Sequence, residues 1–294
     1  MPEAPHRAGL VALLGWTNAG KSTLLNHLLG EKLAIVTAKP QTTRSRILGI
    51  LTRDDAQLLL LDTPGMHTGA RSLNAVLNDQ VDEAAADCDV ALLLVDPREG
   101  WSAAHNTLHA ALRARGTPVI AAATKIDLPA AREAIWPPAE AGPAEAWLRI
   151  SARTGEGVPE LLAELTRRLP EAPRLYPADQ LSDRSLRFLV AEQVRESAFE
   201  ELAQELPYAL AAEVVEFDEG DPDLVRIRAN IVVEHASQKK IVVGAGGRMV
   251  KRIGIRARKE IEILLGGRVH LALWVKVEPK WQKRRKRLEA LGYS

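Results

Sequence analysis

The sequence predicts two domains in tandem: an α/β domain built on a mostly parallel sheet, then a smaller α+β domain. Three observations lead there. In the front half, short apolar runs alternate with helical stretches, which is the pattern of strands covered by helices on both faces. A Pro-rich segment without periodicity then interrupts the pattern. Behind it the charge reverses. The 294 residues carry a net charge of +1, yet residues 236–294 hold 16 Lys and Arg against four acidic residues, which leaves −11 for the rest. A strongly basic end behind an acidic front points to a polyanionic partner.

The apolar runs are Leu10–Leu14, Gln57–Leu61, Val90–Val95, Pro118–Ala123 and Ala146–Ile150, and most are followed by Gly, Pro or Asp. Ligands of such sheets bind at the carboxyl ends of the strands, so the residues just after each run matter most. The Ala/Pro-rich stretch 129–143 has no assignable element. A helix over Val158–Leu169 closes the first domain, 8–171, and residues 172–182 read as an interdomain linker. A helix over Asp183–Glu205, with Ser182 or Asp183 as N-cap, opens the second domain. Two β-rich segments, Ala209–Phe217 and Leu224–Val233, follow across the turn DEGDPD. A helix–Gly turn–helix and a last strand over Val269–Val277 complete an α-β-β-α-α-β order within 183–281, and 282–294 reads as a basic tail.

Composition removes several classes. With 46% hydrophobic and 26% charged residues the chain is globular rather than disordered. No apolar run is long enough to cross a bilayer, and MPEAPHRAGL lacks the pattern of a signal peptide, so a soluble cytoplasmic protein is expected. Cys88 stands alone, which excludes an intrachain disulfide or a cysteine-built zinc site and leaves a buried thiol. The seven histidines have no metal-ligand spacing, and the six tryptophans, scattered in sequence, read as core and linker anchors.

The chemistry sits after the strands. Gly15, Trp16, Thr17, Asn18, Ala19, Gly20, Lys21 and Ser22, continuing into Thr23, fit G-x-x-x-x-G-K-[ST]. Glycines let the backbone fold into a cradle of N–H groups for phosphate oxygens, and a helix beginning near Lys21 adds its positive end. Lys21 is then placed for the β- and γ-phosphates and the Ser22 hydroxyl for Mg²⁺. Asp62, Thr63, Pro64 and Gly65 follow another strand, putting a carboxylate where it holds Mg²⁺ through water and leaving Gly65 to meet the γ-phosphate. Thr124, Lys125, Ile126 and Asp127 follow a third. Asp127 suits guanine, whose N1–H and exocyclic amine both donate, and adenine supplies no such pair. The backbone of Ser151, Ala152 and Arg153 is placed for the guanine oxygen. Between the first two motifs lies Gln41-Thr42-Thr43-Arg44, where one hydroxyl, from Thr42 or Thr43, completes the Mg²⁺ shell. Each tetrapeptide is weak alone; five in this order after strands indicate a guanine-nucleotide site.

In the basic end, Gly244-Ala245-Gly246-Gly247 lies between two helical segments flanked by Lys239, Lys240, Arg248, Lys251 and Arg252. This matches the GXXG loop that clamps a nucleic-acid backbone in KH domains. The run KWQKRRKR, with Lys280, Lys283, Arg284 and Arg285, extends the basic surface.

On these residues the chain resembles the Era family of GTPases, with GWTNAGKST, QTTR, DTPG, TKID and SAR standing for its five G motifs and the C-terminal part for its type II KH domain. The resemblance covers essentially the whole chain. It implies a P-loop GTPase with GTP/GDP and Mg²⁺ as cofactors, Lys21, Thr43 and Gly65 as catalytic residues, and Thr43 as the Mg²⁺ ligand of the switch. Met66 stands where Ras-like enzymes carry Gln, which implies slow intrinsic turnover, and Asn18 matches a position that holds K⁺ in relatives, which implies K⁺-stimulated hydrolysis. Implied partners are the 3′ end of small-subunit rRNA and the small ribosomal subunit, with ribosome assembly as the process. A monomeric state and a weak association with the inner membrane surface complete the expectation. Three departures stand out. Thr124 replaces the usual Asn, Ala245 the usual Lys, and Trp16-Thr17 the usual Arg-Pro; the last is expected to matter little because the backbone makes the contacts. Two competing readings remain: a lipid-facing adaptor with an exposed Trp281 on its tail, and a KH unit used only for protein docking.

Overall fold

The computed structural model describes residues 6–37, 46–63, 84–203 and 206–293. The chain divides into two compact units, Met1–Ala34 with Lys39–Asp183, and Ile35–Ala38 with Arg184–Ser294.

The first unit holds a six-stranded sheet of β1 (Arg7–Leu14), β2 (Ile47–Thr52), β3 (Ala56–Asp62), β4 (Val90–Val95), β5 (Val119–Ala123) and β6 (Ala146–Arg149). Its order is β2-β3-β1-β4-β5-β6, parallel throughout except for β2. Helices α1 (Lys21–Leu29), α2 (Ala103–Ala114), the short α3 (Pro129–Glu133) and α4 (Val158–Arg168) lie between or after the strands. Val90–Val95 is buried along its whole length, as a central strand covered on both faces must be. Register brings Leu13 opposite Asp62, Val95 opposite Ala123 and Ala123 opposite Arg149. The motif residues after β1, β3, β5 and β6 therefore share one edge of the sheet.

Strand β2 escapes the sequence reading. It turns antiparallel onto β3 through Arg53–Asp55, so it needs no crossover helix to announce it. Residues 172–182 also differ from the expected free linker. The buried Gln57 amide accepts the N–H groups of Leu175 (2.7 Å) and Tyr176 (2.9 Å) and donates to the Tyr176 carbonyl (2.9 Å). Further on, the Ile50 N–H reaches the Leu181 carbonyl and the Ser182 hydroxyl donates to the Leu48 carbonyl at 2.7 Å. The Pro-rich segment thus covers the β2–β3 edge, which would otherwise expose unpaired backbone groups.

In the second unit, α5 (Leu186–Glu201) precedes β7 (Leu210–Asp218), β8 (Val225–Val233), α6 (Ala236–Val243), α7 (Arg248–Leu265), β9 (Val269–Val277) and a terminal α8 (Arg285–Ala290). The sheet runs β7-β8-β9, with β8 antiparallel to β7 and parallel to β9. This is the expected α-β-β-α-α-β order. The N-cap of α5 is Ser185, whose hydroxyl accepts the Phe188 N–H, and not Ser182, whose hydroxyl is already engaged with Leu48. One core joins Val190, Val194 and Ala198 of α5 to Ile227 and Ile231 of β8 and Ile253, Ala257 and Ile261 of α7. A second cluster joins Ala211 and Val232 to Trp281, Leu288, Leu291 and Tyr293. The expected basic tail is therefore a folded cap on the sheet. Arg287 lies 2.6 Å from Glu213 and 3.0 Å from Glu278, half-buried pairs that fix it there.

Candidate nucleotide site and nucleic-acid face

The loop after β1 has the curvature its sequence demands. Gly15 has φ 144, and a Cβ there would lie 2.3 Å from the Leu94 carbonyl oxygen. Asn18, exposed at the crest, has φ 62, and Gly20 forms the left-handed N-cap of α1. Ala19 is buried, while Thr17 and Thr23 are half-buried. Lys21 is buried; its ammonium donates to the carbonyls of Gly15 (3.0 Å) and Trp16 (2.9 Å). The Ser22 hydroxyl donates to Asp62 Oδ2 at 2.7 Å. Thr63 ties the end of β3 back to β1 through the Leu13 carbonyl at 2.8 Å.

Charge is held here against burial. Desolvation pushes Lys21 down to about 8, with the nearby Asp62 carboxylate pulling the other way. Desolvation likewise lifts Asp62 to about 6, opposed by Lys21 and by the Ser22 hydrogen bond. Asp62 Oδ1 is buried and takes no hydrogen bond among the described residues. An unsatisfied carboxylate oxygen beside a serine hydroxyl is a hard-oxygen donor set, which fits Mg²⁺ with its retained waters. Gln41–Arg44 with Thr43, together with Pro64, Gly65, Met66 and the switch as far as Thr68, lie outside the described residues.

At the other end of the sheet edge, the Ser151 hydroxyl donates to Asp127 Oδ1 at 2.7 Å and accepts the Thr154 N–H at 3.2 Å, which fixes the carboxylate's plane. Ile126, buried, bonds by its N–H to the Ile150 carbonyl, coupling the two loops; Ala152 is half-buried and Arg153 exposed. The Thr124 hydroxyl reaches the Val95 carbonyl at 3.2 Å. A Cβ added at Gly20 would lie 4.0 Å from that hydroxyl, so Thr124 faces the phosphate loop while its hydroxyl bonds to the neighbouring strand. Lys125 takes a left-handed φ of 60, and its ammonium is 3.0 Å from Asp96. Sequence reasoning misses Asp96, though it directly follows the run Val90–Val95. Burial would raise its pKa, but hydrogen bonds from Arg98 and Lys125 bring it down to about 2.

In the second unit, Gly244 has φ 71, and a Cβ there would lie 2.7 Å from Met249 Cβ. A Cβ added at Gly246 (φ 60) or Gly247 (φ 77) would meet nothing within 4 Å, and Ala245 is exposed. The loop therefore presents bare backbone at the start of α7, where a sugar-phosphate chain can approach. The flanking cations divide into two groups. Lys239, Lys240, Arg248, Lys251, Lys280 and Lys283 are exposed, with no carboxylate partner among the described residues. Arg252 is 2.5 Å from Glu201, Arg284 2.9 Å from Glu278 and Arg285 3.0 Å from Glu289. Ile241, on α6 beside the loop, is 56% exposed and escapes the sequence reading; its neighbour Val242 is fully buried, and the adjacent apolar pair is the available signal.

The tryptophans decide against the lipid-facing reading and correct the expected scatter. Trp281 is 1% exposed within the cap, so the residue a lipid-facing tail would have used is in the core. Trp101, Trp136 and Trp147 are far apart in sequence, but their rings meet pairwise at centroid distances of 5.2–6.2 Å. Trp147 lies on β6 and the other two on connections between elements, and sequence spacing carries no trace of the cluster.

The family model described as "50S ribosome-binding GTPase" matches residues 10–125, and the KH domain model matches 205–282. A GTPase Era of Pseudomonas putida is 41% identical over 99% of this chain and 98% of its own length. A GTPase Era of Leuconostoc citreum is 39% identical over 100% and 99%. Among solved structures, an Aquifex aeolicus Era variant bound to GDP·AlF4⁻ superposes with a TM-score of 0.89 at 36% identity, covering 98% of this chain and 99% of that one. Era in complex with MgGDPNP and nucleotides 1506–1542 of 16S ribosomal RNA gives 0.88 at 34% identity, with the same coverage.

Proposed function

The chain belongs to the Era family of GTPases, and from that premise we propose that it is a GTP-driven switch that binds the 3′ end of small-subunit rRNA and assists assembly of the small ribosomal subunit. The observation that carries the RNA half is the open Gly246–Gly247 end of the GXXG turn, flanked by cations with no carboxylate partner among the described residues. A GXXG backbone of this kind clamps about four nucleotides of a single strand. The solved relative seated on 16S rRNA supports the choice of strand.

At the nucleotide, Lys21 leaves the carbonyls of Gly15 and Trp16 for the phosphate oxygens. Ser22 and, through water, Asp62 would hold Mg²⁺, which would supply positive charge against that of the phosphates. Thr43 would be a further ligand and, with Gly65, would meet the γ-phosphate. Asn18 at the crest of the loop would hold K⁺. Asp127, oriented by Ser151, selects guanine, and the backbone of Ser151–Arg153 meets the base oxygen. The γ-phosphate then orders the segments around Thr43 and Gly65, which biases RNA binding. The chain works as a cytoplasmic monomer, and its exposed lysines supply the weak contact with the inner membrane surface. Among the described residues, no helix is long and apolar enough to cross a membrane.

The test is titration of an oligonucleotide matching the rRNA 3′ end, with a non-hydrolysable GTP analogue and then with GDP, beside a scrambled control. Sequence-selective binding that weakens in GDP is expected. Equal, salt-sensitive binding to both oligonucleotides would overturn the rRNA reading and leave the GTPase.

A further inference from the structure

Trp16 is expected to act only through its backbone, and the structure gives its side chain a specific partner. The indole Nε1–H points at Nδ1 of His105, 3.3 Å away, with the two rings edge to face at 5.7 Å. His105 is the third residue of α2 and belongs to that helix's capping box. The Ser102 backbone N–H also donates to Nδ1, at 3.0 Å, and the Ser102 hydroxyl oxygen lies 2.8 Å from it. An indole N–H and a backbone N–H only donate. Nδ1 must therefore be the unprotonated nitrogen, and the ring is neutral with its proton on Nε2. Burial, which lowers the pKa of His105, favours the same state.

The opposite side of Trp16 faces the phosphate loop. Its carbonyl accepts the Lys21 ammonium at 2.9 Å and the Ala19 N–H at 3.2 Å. Trp16 therefore links the loop's interior to α2, a helix that the P-loop pattern does not involve. Behind His105 the brace is backed by a wall: Trp101 stacks on the imidazole at 5.1 Å and in turn touches Trp136 and Trp147.

We propose that Trp16 and His105 form a brace that holds the phosphate loop in its nucleotide-accepting shape, with His105 as a positioning residue that touches neither nucleotide nor metal. Holding the loop before binding removes an ordering cost from nucleotide association. The loss of the brace appears in affinity and KM and leaves kcat in place, because ground state and transition state use the same cradle.

The test uses the full chain with three single variants and one double. Trp16→Phe keeps a smaller aromatic ring and removes the donor, leaving the Ser102–His105 cap intact. His105→Leu removes the acceptor, and His105→Gln keeps an acceptor oxygen. Affinity for a fluorescent GDP analogue, KM and kcat for GTP, and thermal melting are measured for each. Trp16→Phe and His105→Leu should each weaken GDP about 5–10-fold and raise KM in parallel, with kcat within about twofold. The double variant should be no weaker than either single, because both break one bond. His105→Gln should stay within about twofold of the unmodified protein. His105→Leu also loses a cap and melts lower, so Trp16→Phe is the decisive variant. Unchanged GDP affinity in Trp16→Phe, additive losses in the double, or His105→Gln as weak as His105→Leu would each overturn the brace.

Discussion

At Gly15 an added Cβ would lie 2.3 Å from the Leu94 carbonyl oxygen; at Gly246 and Gly247 it would meet nothing within 4 Å. Both loops are glycine turns at the start of a helix, and both are read as phosphate sites, yet the glycines serve different purposes. In the first unit the protein's own backbone crowds the turn. Lys21 and Asp62 are buried, Ser22 is half-buried, and they are already bonded within the protein, Ser22 to Asp62 and Lys21 to Gly15 and Trp16. In the second unit the turn is open and the cations stand in solvent. A small, multiply charged ligand is enclosed and must find its donors prepared, whereas a long polyanion is met along an exposed surface. The nucleotide site should therefore be intolerant of substitution and insensitive to salt, and the RNA face the reverse.

The largest expected break is Gly15→Ala. Its φ of 144 is already unfavourable for a residue with a Cβ, and the contact with Leu94 is with rigid backbone in a central strand. We expect loss of about 3 kcal/mol from the first unit's stability and more than about 100-fold in guanine-nucleotide affinity. Denaturant melting and titration calorimetry would read both. Binding within about tenfold of the unmodified protein would mean that the crowded turn is not needed.

Substitutions inside the GXXG turn sharpen the comparison, since its first glycine follows the crowded plan and its last two the open one. Gly244→Ala places Cβ 2.7 Å from Met249 Cβ and should destabilise the second unit by about 2–3 kcal/mol. Gly246→Ala carries only the left-handed backbone penalty, about 1 kcal/mol. Melting of the two variants should separate them, and equal losses would remove the distinction between crowded and open glycines.

These differences also mark what is legible in the sequence. The phosphate loop, Asp62, Asp127 and Ser151 are readable because a strand end fixes where a motif points, and register then gathers those ends on one edge. The α-β-β-α-α-β order is readable from periodicity alone. Contacts that depend on which strands become neighbours are not. Trp16 meets His105 across 89 residues, and Gln57 holds Leu175 and Tyr176 at separations of 118 and 119. Strand β2 goes unread although Ile47–Leu51 is an apolar run buried over Ile47–Ile50, as in its neighbours; its antiparallel turn onto β3 lies outside the strand–helix alternation that marks the others. The basic run Lys280–Arg287 reads as a free tail because charge dominates its composition, although Trp281, Leu288 and Leu291 carry it into the core.

A buried carboxylate held by two more exposed cations offers a third test. Asp96 is 5% exposed, and its carboxylate, clamped by Arg98 and Lys125, sits at about 2 against an ordinary value near 4. A depressed carboxylate adds stability that is present above the unfolded pKa and is lost as pH falls through the folded one. Asp96→Asn should therefore lose about 2 kcal/mol at pH 7, and the gap between variant and unmodified protein should close as pH falls from about 4 toward 2. A gap that stays constant over that range would show that the carboxylate contributes by packing and not by charge.

The smallest effects should come from single cations of the RNA face, and their pattern matters more than their size. Lys251 is exposed without a carboxylate partner among the described residues, whereas Arg285 is 92% exposed and paired with Glu289 one helical turn on. Free ammonium groups release counterions when they meet phosphate, and an arginine already neutralised by its own helix gains less. Lys251→Ala should weaken RNA binding about threefold and reduce the slope of log K against log salt by about one. Arg285→Ala should change the slope by less than about half as much and the stability by about 0.3 kcal/mol. Binding measured between about 50 and about 300 mM salt reads both. Equal slopes for the two variants would mean that the whole basic surface acts as one diffuse field, and the division of its cations into free and paired would lose its meaning.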